Sequence, residues 1–358
     1  MRSHFSRRHS LFIGLLLIIS LLCSSCGFIS VTPPIQNVER PADSSFSVYF
    51  LDVEQGDCAL ILCDGEAMLI DGGESDQSSK VYSVLSNRGI THLNYLVATH
   101  PHSDHIGGLS GALQVADVDT ALSPVTSYDS KQFSSLTKYL SQSGVTLTVP
   151  RAGDRFSLGS AQVQVIGPVT QTWEDINDSS IVLKITYGKT SFLFTGDMET
   201  TSEKAVLEAG FNPSADVLKV AHHGSSSSTS RTFLDAVNPS YAIISVGTGN
   251  SYGHPTDEVL RRLEASSIQT YRTDLHGDIH CTSDGQTVTF STEKRSSYSG
   301  TAGSTAGEDI TYIGNTTSQK FHLPTCFNLP DEKNRILLES YQAALNAGYS
   351  PCSNCMDP

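Results

Sequence analysis

The chain has 358 residues, 38% of them hydrophobic, which is too long for one average domain and suits a large core with a small companion. Its 37 acidic against 23 basic residues give a formal charge of −14. That balance excludes a broad electrostatic grip on polyanions and leaves any nucleic-acid role to a local site.

Residues 1–26 open with the basic segment MRSHFSRRHS, run into the twelve apolar residues LFIGLLLIISLL, and end in CSSC. This is the pattern of a secretory signal, too short to span a bilayer comfortably. Its end resembles the lipobox of bacterial lipoproteins, in which small residues precede a cysteine that is lipidated. Ser24 and Ser25 stand before Cys26, whereas Cys23 follows two leucines and occupies a place where Leu is usual. A simply cleaved secreted protein and an uncleaved anchor are the alternatives. Loss of residues 1–26 removes three arginines and no acid, leaving 20 bases against 37 acids, a formal charge of −17. Residues 27–45 are a Pro- and Ser-rich tether.

Residues 46–290 alternate strand and helix signals. FSVYFLDV alternates, and CALILC and AMLID flank Asp64-Gly65, a hairpin signal. A helical stretch begins at Asp76, carries Val81, Val84 and Leu85 on one face, and closes at Gly89 before the buried strand LNYLVAT. SSIVLKITY and TSFLFTGD pair across Gly188, and DVLKVAHH, YAIISVG and IQTYRT are further apolar strands. Helices begin at caps such as Ser130, Thr201, Ser230 and Thr256. Two sheets with helices outside would bury this pattern.

Directly after LNYLVA comes THPHSDH, residues 99–105, with three histidines and an aspartate. Alternate residues of an extended segment share a side, so His100 and His102 converge on one metal, while Asp104 and His105 turn at the following loop toward another. H-x-H-x-D-H after a buried strand is a specific metal signal. His92, His276 and His280 lie outside any motif and are read as surface or packing residues.

The body is similar to the metallo-β-lactamase superfamily, and within it to the nuclease-like domain of ComEC-type DNA-uptake proteins. The stretches that carry the resemblance are LDVEQGDCALI, LIDGG, ATHPHSDHIGGL, FLFTGD, DVLKVAHHGSSSSTS, YAIISVGTGNSYGHP and YRTDLHGDI, in the family's order. It implies an α+β fold, the four-layer αββα sandwich. It also implies metal ligation by His100, His102, Asp104, His105, Asp197 as a bridge, and one of His222 and His223, with Asp71 orienting the metal-binding loop. Asp197 fits on physical grounds, since a carboxylate closing an apolar strand needs cations to offset its burial; the competing role is a cap for the helix near Thr201. No histidine lies between Ile106 and Ala221, where many relatives have one. Asn177 or, less well, Asp178 is the nearest replacement, and an oxygen ligand there shifts preference from Zn²⁺ toward Mn²⁺. Glu54 stands where the family has Gly, which puts the cleft-facing roles of Gln55 and Asp57 in question.

Two divalent metals (Zn or Mn) about 3.5–4 Å apart suit hydrolysis of a phosphodiester. Asp104 and His254 are the catalytic candidates, with Asn177, Gly224 and Ser225 as substrate contacts. His254 would touch phosphate or protonate a leaving group; a packed histidine at a helix start is the alternative.

STEKRSSYSGTAGSTAGED, residues 291–309, reads as a flexible linker. In residues 310–358, His322 and Cys326 are four apart and Cys352 and Cys355 form a C-x-x-C, the ligand set of one structural Zn in a small C-terminal domain. This segment resembles the zinc-binding domain of the Ada DNA-repair protein, with His322 at that family's first cysteine, so methyl transfer is not implied. A disulfide without metal is the alternative.

The expectation is an exported dinuclear hydrolase at the extracellular face of the cytoplasmic membrane, held by a lipid anchor or else secreted. Its substrate is a phosphodiester, foremost extracellular DNA in connection with DNA uptake, and no obligate protein partner is evident. The alternatives are a cell-wall phosphocholine or teichoic acid phosphodiesterase and a non-catalytic DNA-binding surface lipoprotein.

Overall fold

The computed structural model describes residues 45–294 and, further on, 312–322, 329–338, 344 and 347–352. The signal, the tether, Cys26 and most of the expected linker lie outside the described residues. No helix among the described residues is long and apolar enough to cross a membrane.

Two sheets face each other. The first runs in the order β15 (Val288–Thr292), β14 (Ile279–Ser283), β1 (Phe46–Phe50), β2 (Ala59–Cys63), β3 (Glu66–Ile70), β4 (His92–Val97), β5 (Asp117–Leu122), β6 (Leu147–Thr148). The second runs β13 (Gln269–Arg272), β12 (Tyr241–Ile244), β11 (Val217–Lys219), β10 (Thr190–Phe194), β9 (Val182–Tyr187), β8 (Ala161–Gly167), β7 (Arg155–Leu158). Side chains alternate across each strand, and the inner strands, such as β2, β3, β9 and β10, are buried on both faces. In β3, Met68 and Ile70 enter the core between the sheets with Phe50, Val163, Phe192 and Phe194. Ala67 and Leu69 point the other way, under α1 (Ser78–Asn87) and α4 (Lys131–Gln142), which contribute Val81, Leu85, Phe133 and Leu136. The outer face of the second sheet is covered by α5 (Thr200–Glu208), α6 (Arg231–Val237) and α7 (Asp257–Ala265) through Val206, Phe233 and Val259. The expected αββα sandwich is the observed one.

The hairpin at Asp64-Gly65 joins β2 to β3, with φ of 52° and 87° at its two central residues as a type I′ turn requires. Ser130 and Ser230 cap their helices, accepting from the Phe133 and Phe233 amides. Thr256 stands at the N-cap of α7, but its hydroxyl donates to the Gly224 carbonyl rather than capping the helix. Thr201 is not a cap: α5 starts one residue earlier, and the Asp178 carboxylate accepts from the Glu199 and Ser202 amides in its place. The helix expected from Asp76 begins as a single tight turn, Ser75–Gln77, before α1. The linker expected from residue 291 gives its first two residues to β15, where Ser291 pairs with His280 and Thr292 with Ile279. A separate four-stranded sheet, β18 (Arg335–Leu338), β16 (Tyr312–Asn315), β17 (Lys320–His322), β19 (Ser350–Pro351), forms the C-terminal element.

Position follows from topology. Strands β3 to β6 are parallel, as are β10 to β13. Asp71 follows β3, His100 follows β4, Asp197 follows β10 and His223 follows β11. The carboxyl ends of parallel strands are where open α/β sheets gather ligand-binding groups, because the loops leaving them meet there.

Candidate metal centre

Val97 is the last residue of β4; Ala98 to Pro101 form the loop, and Ser103–Ile106 makes one helical turn, α2. This turn carries Asp104 and His105, and the His105 ring comes back against His100 with centroids 4.1 Å apart. Close packing holds the loop: a Cβ on Gly56, whose φ is 139°, would strike the Asp104 carbonyl oxygen. Glu54 adopts φ 56°, so the family's usual glycine position is a left-handed one that this backbone fills with a side chain.

Asp104, His105, Asp197 and His223 each bring one ligand atom into a cluster whose members all lie within 4.8 Å of one another. His105 Nε2 is 3.3 Å and His223 Nε2 3.4 Å from Asp197 Oδ2, and His223 Nε2 is 3.3 Å from Asp104 Oδ2. The opposite ring nitrogens are engaged. His105 Nδ1 donates to Asp71 Oδ2 at 2.8 Å, and His223 Nδ1 to the Ser245 carbonyl at 2.9 Å. Asp71 is fixed in turn by the Thr99 amide and hydroxyl. Each ring therefore turns Nε2 to a carboxylate. Against the pull of burial, Asp197 above all, with Asp71 for His105 and Asp57 for His223, raises both imidazoles well above their ordinary value, so a cation entering the cluster would take the place of the Nε2 protons. His105 Nε2, His223 Nε2 and Asp197 Oδ1 are buried with no hydrogen-bond partner. Two imidazole nitrogens and two carboxylates crowded largely out of water call for positive charge among them, and with the Nε2 protons displaced this donor set fits a divalent metal.

The electrostatics agree. Burial alone would push the Asp197 carboxyl up, yet His223 and His105 outweigh it and hold the carboxyl well below the usual range. Asp104 is likewise held low against its burial by His105 and His223. Burial drives the His100 imidazole well below its ordinary value, with His105 adding to the effect, so His100 stays neutral as a ligand must. His100 Nε2 lies 3.1 Å from His102 Nδ1, which brings these two together at the edge of the main cluster.

His222 and His223 both take left-handed backbone angles, φ 51° and 54°, and diverge. His223 enters the cluster. His222 sends Nδ1 to Glu199 Oε1 at 3.2 Å and keeps Nε2 3.8 Å from Asp197. Glu199 escaped the sequence reading. It also accepts from Ser227 Oγ at 2.9 Å and lies 3.5 Å from Asn177 Nδ2. Its signal was its place two residues after Asp197, in the turn that joins β10 to α5.

An open cleft of about 310 Å³ lies over the cluster, bounded among others by Gln55, Glu74, His102, Asn177 and His254. Asn177 is buried with Oδ1 unpaired, whereas Asp178 is occupied as the cap of α5. Gln55 reaches the cleft; Asp57 lies beneath it, paired with the buried Lys219 at 2.7 Å. Gly224 and Ser225 do not border the cleft: the Gly224 carbonyl accepts from Thr256, and Ser225 Oγ pairs with Ser227. Burial, reinforced by His222 and His223, lowers the His254 imidazole to about 4, so it is neutral at pH 7. In the C-terminal element, His322 and Cys352 are buried, while Cys326 and Cys355 lie outside the described residues. Cys58 and Cys63 face different cores, as their odd spacing implies. His92 is on the surface, hydrogen-bonded to Asp119; His280 stacks on Tyr49, and His276 is buried in a turn.

A helix-clad double sheet with His and Asp ligands at its parallel strand ends defines a class of metal-dependent hydrolases. The chain belongs to the metallo-β-lactamase superfamily, whose family model matches residues 51–248. It is 29% identical over 294 residues to ComE operon protein 3 of Bacillus subtilis, a match that covers 77% of this chain and 37% of that protein. It is 29% identical over 253 residues to competence protein ComA of Neisseria gonorrhoeae, covering 70% of this chain and 33% of that one. The chain thus spans about a third of the length of the curated relatives it matches. Among solved structures, the metallo-β-lactamase fold protein YhfI from Bacillus subtilis aligns with a TM-score of 0.41 at 16% identity, covering 63% of this chain and 95% of that one.

Proposed function

We propose that this protein is an exported phosphodiesterase that cleaves extracellular DNA in connection with DNA uptake, held at the outer face of the cytoplasmic membrane by a lipid on Cys26. The observation that carries the reading is the convergence of Asp104, His105, Asp197 and His223, with buried ring nitrogens and a carboxylate oxygen that no hydrogen bond satisfies, on the floor of an open cleft. Divalent cations bound there would polarise a phosphoryl oxygen and lower the pKa of an attacking water. Asp71 and the Ser245 carbonyl keep the Nε2 atoms of His105 and His223 turned inward. Asp197 and Asp104 stay ionised, and Asn177 and His254 border the space a substrate would enter. An oxygen ligand from Asn177, which borders the same cleft as His102, would favour Mn²⁺ over Zn²⁺. No Lys or Arg borders the cleft among the described residues, so the cations themselves must attract the phosphate. Kinship with competence proteins supports DNA as the substrate. His322, Cys326, Cys352 and Cys355 would hold one structural zinc in the tail.

The test incubates the purified mature protein with Mn²⁺ or Zn²⁺ and linear DNA, a generic phosphodiester, a choline phosphodiester or a lactone, beside Asp104→Ala. DNA loss with the native protein alone is the expected result. Turnover of only the choline ester selects the cell-wall reading. DNA bound but left intact by both proteins selects a binding lipoprotein, and no phosphodiester turnover at all discards the proposal.

A further inference from the structure

The loop after β12 carries the tyrosine in question. Residues 247–254 are tied together by one side chain: Asn250 Oδ1 accepts from the Tyr252 and His254 amides, both at 3.1 Å, while Nδ2 donates to the carbonyls of Gly247 and His254. The loop is fastened across the cleft as well, since the Gly247 amide donates to Gln55 Oε1 and a Cβ on Gly247 would meet the Gln55 amide nitrogen at 2.6 Å. Tyr252 is thus presented by a braced scaffold rather than a loose tip. It borders the cleft yet is 68% exposed. The other large hydrophobic residues exposed among those described, Tyr82, Ile336 and Leu337, do not border it. The His254 ring lies against Tyr252 at 5.9 Å and 23°, close to parallel, and His254 is itself buttressed by the edge of His222 at 5.6 Å. The stack leads from the cluster floor outward and ends in an aromatic surface open to solvent.

We propose that Tyr252 is a stacking platform for a nucleobase next to the phosphodiester being cleaved, so that the preferred substrate is single-stranded or frayed DNA. The inference rests on the nuclease reading above and adds the form of substrate. Three observations favour a base over other occupants. A flat ring backed on one side suits one further flat partner. A quaternary ammonium is held best by several ring faces, and the cleft lining holds one aromatic besides its histidines. The lining also lacks Lys and Arg, so affinity beyond the cations must come from contacts other than phosphate pairing, and base stacking supplies it without sequence preference. A base inside a duplex has both faces covered and cannot reach the ring.

The experiment compares the full mature protein loaded with Mn²⁺ against Tyr252→Ala and Tyr252→Trp, on a fluorescein-labelled oligothymidine and on the same strand with abasic sites around one linkage. Both kcat/KM and binding by anisotropy are read. Tyr252→Ala is expected to lower kcat/KM on the intact oligothymidine by about 5- to 150-fold, the range of one base stacked on an aromatic ring, with Tyr252→Trp near the native value. On the abasic strand native protein and Tyr252→Ala should match. An equal loss on both strands, or none on either, overturns the platform while leaving the nuclease reading intact. Tyr252-dependent binding without cleavage retains the platform and removes the nuclease. Neither binding nor cleavage removes both, and a Tyr252 effect confined to a choline phosphodiester overturns the platform by assigning the ring to a quaternary ammonium.

Discussion

Beneath the cluster, Asp57 is neutralised by Lys219 at 2.7 Å, and its other oxygen lies 3.2 Å from His223 Nδ1. Lys219 also donates to the Val220 carbonyl, and both side chains are almost wholly buried. Removing one partner of such a pair leaves an uncompensated charge out of water. Lys219→Met should therefore lower unfolding free energy by about 3–5 kcal/mol in urea titration, with Asp57→Asn restoring part of the loss. A change below about 1 kcal/mol would mean that water reaches the pair. At this scale the motif THPHSDH was legible because its ligands are close in sequence, and Asp197 because a carboxylate closing an apolar strand is costly. The choice between His222 and His223 was not, since it depends on two successive left-handed residues that no spacing rule reveals. The question that Glu54 raised over Gln55 and Asp57 has a split answer for a related reason: Gln55 reaches the cleft while the tight turn through Gly56 drops Asp57 below it.

At the level of elements, alternation identified β1, whose burial itself alternates, and apolar runs identified β2 to β4 and β9 to β13, most of whose side chains are buried or half-buried. The short polar edge strands β6 and β7 carry too little apolar pattern to read. β8 alternates cleanly, with Ala161, Val163 and Val165 inward, and its sequence alone would have identified it. Helix starts at Ser130 and Ser230 were readable because the capping group is local. The start of α5 was not, because its cap is Asp178, reaching from 21 residues upstream to the Glu199 amide. That contact couples an element boundary to the cleft, since Asn177 is the next residue and Glu199 is the partner of His222. Asp178→Ala should cost about 1–2 kcal/mol in denaturant unfolding and weaken activity as well, by releasing Asn177 and Glu199 together. A stability loss with unchanged kcat/KM would show that these two side chains are held in place without the cap.

Over the whole molecule, the fold and the candidate centre draw on different forces. Three apolar clusters, one between the sheets and one on each outer face, hold the sandwich without any ligand atom from the centre. The class of fold was legible for this reason: burial on two faces forces strands between helices, whatever the chemistry. The C-terminal sheet was less so, because only one small cluster, Phe321, Leu338 and Ala344, supports it among the described residues. This division predicts how chelation acts. Stripping metal with EDTA should abolish hydrolysis, yet leave the far-UV circular dichroism and a cooperative unfolding transition of the body. Its unfolding free energy should fall by the amount expected for losing a ligand that binds only the native state, about 2.7 kcal/mol at a metal concentration one hundred times Kd, and return when Mn²⁺ or Zn²⁺ is restored. Collapse of the body's secondary structure in EDTA would instead make the cations part of its folding core, and would place the pairing of Asp197 with His105 and His223 ahead of sheet packing as the source of the fold.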